Sequence, residues 1–182
     1  AQGATSVFVD IFAARKALLE QSYNALRQSV YNGLLLQTRL KPYLDTITLD
    51  ITENKTSLNF DAMFAKLETL KVTDSFNASI DLIELALNTN DTFSSLGVHF
   101  EEKIHQWSED PASSSSLYNA LQYLGVLRGG GAAGSSGNDI LFGAGNNDLL
   151  SGDEGNDIIF GLSGSDTISG QTGNDYLAGS DG

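Results

Sequence analysis

The chain has 182 residues, 41% of them apolar, and a formal net charge of −13. That length suits one domain or two small ones with a core, and the acidic balance argues against nucleic-acid binding and against docking on anionic membranes. There is no cysteine, so disulfides and thiolate chemistry are excluded, and no apolar run approaches the ~18 residues of a membrane span.

No cleavable signal peptide opens the sequence, which starts at Ala1 and stops within a repeat, so it reads as a segment of a larger protein. The acidity is uneven. Residues 1–128 hold all ten Lys and Arg against fifteen acids, whereas residues 129–182 hold eight acids, no basic residue and fifteen of the nineteen glycines. The border, "RGGGAAGSSG" (128–137), has the composition of a flexible linker. This shift predicts a helical domain over 1–128 and a second domain over 129–182.

From Val7 to about Leu36, apolar residues recur at Phe8, Ile11, Phe12, Leu19, Tyr23, Leu26, Val30 and Leu34, with Arg15 the one break. Those steps of three and four mark one face of a long amphipathic helix, which Pro42 ends or kinks. "ITLDITENKTSLNF" (47–60) alternates Ile47, Leu49 and Ile51 before a polar turn, predicting a small β-hairpin. Helical patterns resume at about 61–71, 76–88, 93–108 and 115–127, with Asp61, Asp74 and Ser114 as N-cap candidates. The first 128 residues thus read as a compact helical bundle with a β excursion.

The remainder is periodic. Aligned on glycine, the units are "GSSGNDILF" (134–142), "GAGNNDLLS" (143–151), "GDEGNDIIF" (152–160), "GLSGSDTIS" (161–169) and "GQTGNDYLA" (170–178), followed by a truncated "GSDG". Position 1 is always Gly and position 6 always Asp. Position 4 is Gly except at Asn146, the residue type that best tolerates left-handed dihedrals after glycine. Position 8 is always aliphatic: Leu141, Leu150, Ile159, Ile168 and Leu177. A glycine turn followed by a three-residue strand winds a parallel β solenoid with two strands per eighteen-residue coil, position 8 pointing inward. A core so thin needs help, and the turns stack aspartates that repel unless a hard divalent cation joins them. Calcium suits carboxylate and carbonyl oxygens; magnesium demands a tighter octahedron and zinc prefers nitrogen and sulfur. Positions 7 and 9 point outward. In odd units they form an apolar stripe (Ile140, Phe142, Ile158, Phe160, Tyr176) on which the helical half or a partner is expected to pack.

These units resemble the nonapeptides of RTX (repeats-in-toxin) proteins, G-G-x-G-x-D-x-U-x, a calcium-binding β-roll motif. The departures are Asn146 and the absence of the second glycine throughout. With the helical first part, the β-roll that the resemblance implies makes an α+β chain, and the resemblance implies that it binds calcium ions in about three complete sites. One site would use Ser135, Gly137 and Asp139 with Gly152, Glu154 and Asp157; a second, Asp153, Gly155 and Asp157 with Gly170, Thr172 and Asp175. The opposite side would use Ala144, Asn146 and Asp148 with Gly161, Ser163 and Asp166. A fourth, of Leu162, Gly164 and Asp166 with Gly179 and Asp181, would be incomplete, and Asp157 would bridge two ions. The resemblance further implies a secreted bacterial protein exported through a type I system, of toxin, enzyme or adhesin type.

Other chemistry is thin. In "HFEEKIHQW" (99–107), Glu101 and His105 stand four apart, but a solvated helix face with Trp107 in the core is the expected reading. No G-x-S-x-G, Walker loop or H-E-x-x-H occurs, so no enzymatic role is expected of this segment. Asn54, Asn77 and Asn90 head short glycosylation sequons.

Overall fold

A computed structural model of the chain describes residues 2–51, 56–125 and 133–179, and within these the side chains of 2–12, 21, 24, 25, 28, 56, 90, 91 and 94 are left aside. The described chain forms two compact units, Ala1–Leu44 and Asp45–Gly182. The expected border between 128 and 129 falls outside the described residues.

In the first unit, α1 (Gln2–Gln37) is the expected long helix. It ends before Pro42, which instead opens the short α2 (Lys41–Leu44); a proline fits a first turn because its missing N–H has no partner there anyway. Phe8, Ile11 and Phe12 lie among the side chains not described. Within this unit Leu19, Tyr23, Leu26, Val30 and Leu34 are exposed, whereas Leu35, Leu40 and Tyr43 are buried.

In the second unit, β1 (Thr48–Ile51) and β2 (Thr56–Asn59) pair antiparallel as the expected hairpin. Four helices follow: α3 (Asp61–Thr73), α4 (Ser75–Ser94), α5 (Phe100–Glu109) and α6 (Ser114–Tyr123). α4 is the hub, packing on α3, α5 and α6 through Leu82, Ile83, Leu85 and Ala86. Asp74 caps α4 by accepting from the Asn77 amide at 3.2 Å. Asp61 and Ser114 do not cap: each is already the first helical residue, and no side chain caps α3 or α6 at the preceding position. The expected helix over 93–108 starts later, because Gly97 turns left-handed (φ 81°) between α4 and α5. α6 likewise stops before Gly125, at φ 77°.

The repeats give five three-residue strands, β3 (Ile140–Phe142), β4 (Leu149–Ser151), β5 (Ile158–Phe160), β6 (Thr167–Ser169) and β7 (Tyr176–Ala178). They alternate between two parallel sheets, β3-β5-β7 and β4-β6, so the architecture is α+β. Every pair is offset by eighteen residues, as in Leu141↔Ile159 and Leu150↔Ile168. Leu141, Leu150 and Ile159 are buried together with Ile168 packed against them. Leu177, also expected inward, is 48% exposed, since no described strand lies beyond β7 to cover it. The outer faces differ: Ile140, Phe142, Ile158 and Phe160 are buried, whereas Leu149 is exposed.

Candidate metal centre

The turns between strands carry the chemistry, and glycine makes them possible. At position 4, Gly155, Gly164 and Gly173 have φ of 124°, 129° and 146°. A Cβ on any of them would run into the carbonyl of the residue eighteen earlier: Gly137, Asn146 and Gly155 respectively. At position 4 glycine is therefore needed only where a turn stacks on an earlier one. Asn146 stands in the first pair of turns and is not left-handed, contrary to expectation; with no described turn before it, the position only offers its carbonyl to the next.

At position 2, where the motif's second glycine is missing, Asp153, Leu162 and Gln171 take φ of 71°, 67° and 66°. The conformation a glycine would supply is retained, at a cost of roughly 1–2 kcal/mol per non-glycine residue.

Two side-chain ladders bolt successive turns. The Asp139 amide donates to Asp157 Oδ1 at 2.8 Å and the Asp157 amide to Asp175 Oδ1 at 3.1 Å. On the other side, the Asp148 amide donates to Asp166 Oδ1 at 2.9 Å. Position 5 runs the opposite way: Asn138 Oδ1 accepts from the Asn156 amide (2.9 Å), Asn156 Oδ1 from Asn174 (2.7 Å), and Asn147 Oδ1 from Ser165 (3.0 Å). Sequence reasoning gave position 5 no role, although asparagine in four of five units was the available signal.

The other carboxylate oxygen, Oδ2, differs between units. In the first two units it accepts from the turn's own amide, Ser135 to Asp139 at 2.6 Å and Ala144 to Asp148 at 2.5 Å. In the next two, Asp157 Oδ2 and Asp166 Oδ2 are buried without any hydrogen-bond partner. Asp157 itself is 1% exposed. Burial first, then the charges of Asp139, Asp175 and Asp153, push its carboxyl up to about 6 despite the amide bond from Asp139. A buried carboxylate oxygen lacking a donor is expensive; a hard cation held among such oxygens and backbone carbonyls answers it, and the donor set is all oxygen. The residues present therefore fit calcium.

The structure brings the stacked turns together but treats the two sides differently. Beside the three-stranded sheet, Ser135 O accepts from the Glu154 amide at 3.3 Å and Asp153 O from the Thr172 amide at 3.0 Å, while Thr172 O accepts from Gly155 at 2.9 Å. Three candidate ligand carbonyls are thus already engaged by backbone. No such bonds among the described residues reach Ala144, Asn146, Gly161 or Ser163 on the other side. Of the incomplete fourth set, Asp181 lies outside the described residues. Among the described residues no three His, Asp or Glu side chains gather into a cage, so each candidate set depends on two aspartates supplemented by carbonyls.

The segment 99–107 departs from its expected reading. Glu101 is buried and takes His99 Nδ1 at 2.9 Å, not His105. His105 faces Glu109 at 3.6 Å and sets its ring edge-on to Phe160 at 5.3 Å, so this helix face is not simply solvated. Trp107 is fully buried, as expected. An open cleft of about 660 Å³, lined by Asp50, Phe60, Asp61, His99, Glu102 and Lys103 among others, lies beside α5. Of the sequons, Asn77 donates its side-chain amide to Asp74 Oδ2 at 2.7 Å, while Asn54 and the Asn90 side chain lie outside what is described. No helix among the described residues is long and apolar enough to cross a membrane.

The chain's similarities to known proteins concentrate in the same segment. Residues 132–159 and 151–182 match the family described as RTX calcium-binding nonapeptide repeat (4 copies). The iron-regulated protein FrpA of Neisseria meningitidis serogroup C is 33% identical over 64 residues, a stretch covering 35% of this chain and 6% of that protein. No solved structure matches. The match extends over residues 132–182, so that segment is similar to RTX calcium-binding nonapeptide repeats.

Proposed function

We propose that this chain is a calcium-dependent folding module of a larger secreted bacterial protein. In this reading the two interleaved sheets are the walls of a β-roll, and calcium ions between stacked turns replace the basic residues that the repeats lack. The observation that carries it is the pair of buried, unpartnered oxygens, Asp157 Oδ2 and Asp166 Oδ2. Three ions would be held by the sets led by Asp139/Asp157, Asp157/Asp175 and Asp148/Asp166. The organisation proposed is two-part, a helical part up to residue 128 and the roll from 129.

Extracellular calcium modules bind with Kd of about 10⁻⁴–10⁻³ M. Millimolar calcium then stabilises the roll while cytosolic calcium does almost nothing. The segment would be unfolded before export and folded after it, which suits a type I route. The parent's character, toxin, enzyme or adhesin, would reside elsewhere, and no catalytic role is assigned to these residues.

The test is circular dichroism of the chain in chelator and in millimolar calcium, with isothermal titration for the ion count. The expected result is β content that appears with calcium and about three ions per chain. Equal β content in both conditions would sink the reading.

A further inference from the structure

The outer face of the three-stranded sheet is assembled from residues distant in sequence. Phe142 and Phe160 lie eighteen residues apart yet stack at 4.9 Å and 24°, because β3 and β5 pair them in register. Tyr176 continues the column, 5.8 Å from Phe160. Helices meet two of the three rings. Tyr118 of α6 stands edge-on to Phe142 at 5.8 Å and 82°, and His105 of α5 edge-on to Phe160 at 5.3 Å and 70°. Asn138, in the first turn, donates to the Leu87 carbonyl of α4 at 3.2 Å. Both phenylalanines are fully buried, and burial together with the charges of Glu101 and Glu102 on α5 raises the Tyr176 hydroxyl.

No single repeat owns this platform. Units one, three and five contribute one ring each, and each pairs only with the next of them, so the column exists only when all three are stacked. Whatever orders the stack creates the seat for α5 and α6.

We propose that calcium loading of the repeats acts as an intramolecular switch on the helices: the ion-stacked Phe142–Phe160–Tyr176 column docks α5 and α6, and its loss releases them. This rests on the calcium-dependent folding reading above. Linkage makes the coupling reciprocal, so docked helices also lower the calcium needed to stack the roll.

Trp107 is the chain's only tryptophan and is fully buried on α5, its indole donating to Glu68 Oε1 of α3 at 3.0 Å, so its emission reports whether α5 keeps its seat among the helices when the column forms or is lost. The full chain is titrated with calcium while far-UV dichroism follows β content and fluorescence follows Trp107. The expected result is a shared midpoint. In H105A/Y118A the dichroism transition should persist but move to about tenfold higher calcium, a coupling of about 1.4 kcal/mol, and Trp107 should stop responding. Leu149→Ser, on the exposed face of the other sheet, should behave as wild type. Trp107 emission indifferent to calcium while β content still appears overturns the switch and leaves the folding reading standing. Neither signal responding overturns both, and an unshifted midpoint in H105A/Y118A overturns the coupling.

Discussion

The two sheets of the repeat segment are built from the same nine-residue rule yet do different work. The β3-β5-β7 sheet has an aromatic outer face that is buried, and its turns are already cross-linked by backbone bonds at Ser135, Asp153 and Thr172. The β4-β6 sheet exposes Leu149 and has no corresponding turn bonds among the described residues. The difference arises at the positions the repeat leaves free. Position 6 must be Asp and position 8 aliphatic on both sides, so the side that carries Ile and Phe at 7 and 9 becomes a packing surface and the other a solvated one.

Asp157 offers the strongest way to break that comparison. It belongs to two candidate sets on the aromatic side, whereas Asp166 belongs to one complete set on the other. Asp157→Ala should therefore lower the titrated calcium count from about three to about one, and Asp166→Ala only to about two. Calorimetry showing equal losses would remove the bridging role of Asp157.

The stacked glycines separate early turns from late ones. Gly164→Ala places a Cβ against the Asn146 carbonyl at a φ of 129°, which should cost on the order of 2–3 kcal/mol or more in calcium-loaded melts. In Gly137→Ala the new Cβ meets only Ser135 Oγ at 3.8 Å, so the loss should stay within about 0.5 kcal/mol. Similar losses at both positions would contradict the stacking rule.

Protons should compete with calcium on the aromatic side. The Asp157 carboxyl rises from an ordinary 3.8 to about 6, so between those values the folded chain holds a proton that the unfolded chain has released. Calcium must displace that proton to bind, so the calcium midpoint for β content should rise as pH falls from about 6 towards about 4. Calcium titrations followed by dichroism across this window should show the rise, and Asp157→Asn should flatten it. A wild-type profile as flat as that of the variant would assign the rise to other groups.

The repeats were legible because spacing is topology there: Gly at 1, Asp at 6 and an aliphatic at 8 fixed strand positions, pairing offset and the buried row at Leu141, Leu150 and Ile159. What stayed hidden depends on neighbours that one unit cannot reveal. That Asn146 need not be left-handed follows from its place in the first pair of turns, and that Leu177 is half exposed follows from standing last. In the helices, the long pattern of α1 predicted a helix correctly but not which of its residues are buried. The His99–Glu101 pair was missed because it crosses the start of α5, where helical spacing does not apply.

Position 2 gives the finest test, since it asks whether the absent second glycine is a defect or an adjustment. Leu162 sits left-handed at φ 67° with a branched aliphatic side chain, a conformation costing about 1–2 kcal/mol. Leu162→Gly removes that strain but adds backbone entropy to the unfolded chain, worth about 0.5–1 kcal/mol in the other direction. The net expectation is a gain of about 0.5 kcal/mol in calcium-loaded denaturant melts. Gln171→Gly should do no better than neutral despite an almost equal φ of 66°, because its side-chain amide donates to Ser151 Oγ at 2.7 Å and to Asp153 Oδ1 at 2.5 Å. Those bonds tie the second-position residues of units three and five together across eighteen residues, among the described residues on the aromatic side alone. If both glycine variants gain equally, the tie contributes nothing; if Leu162→Gly loses stability, its side chain supports the turn more than its backbone strains it.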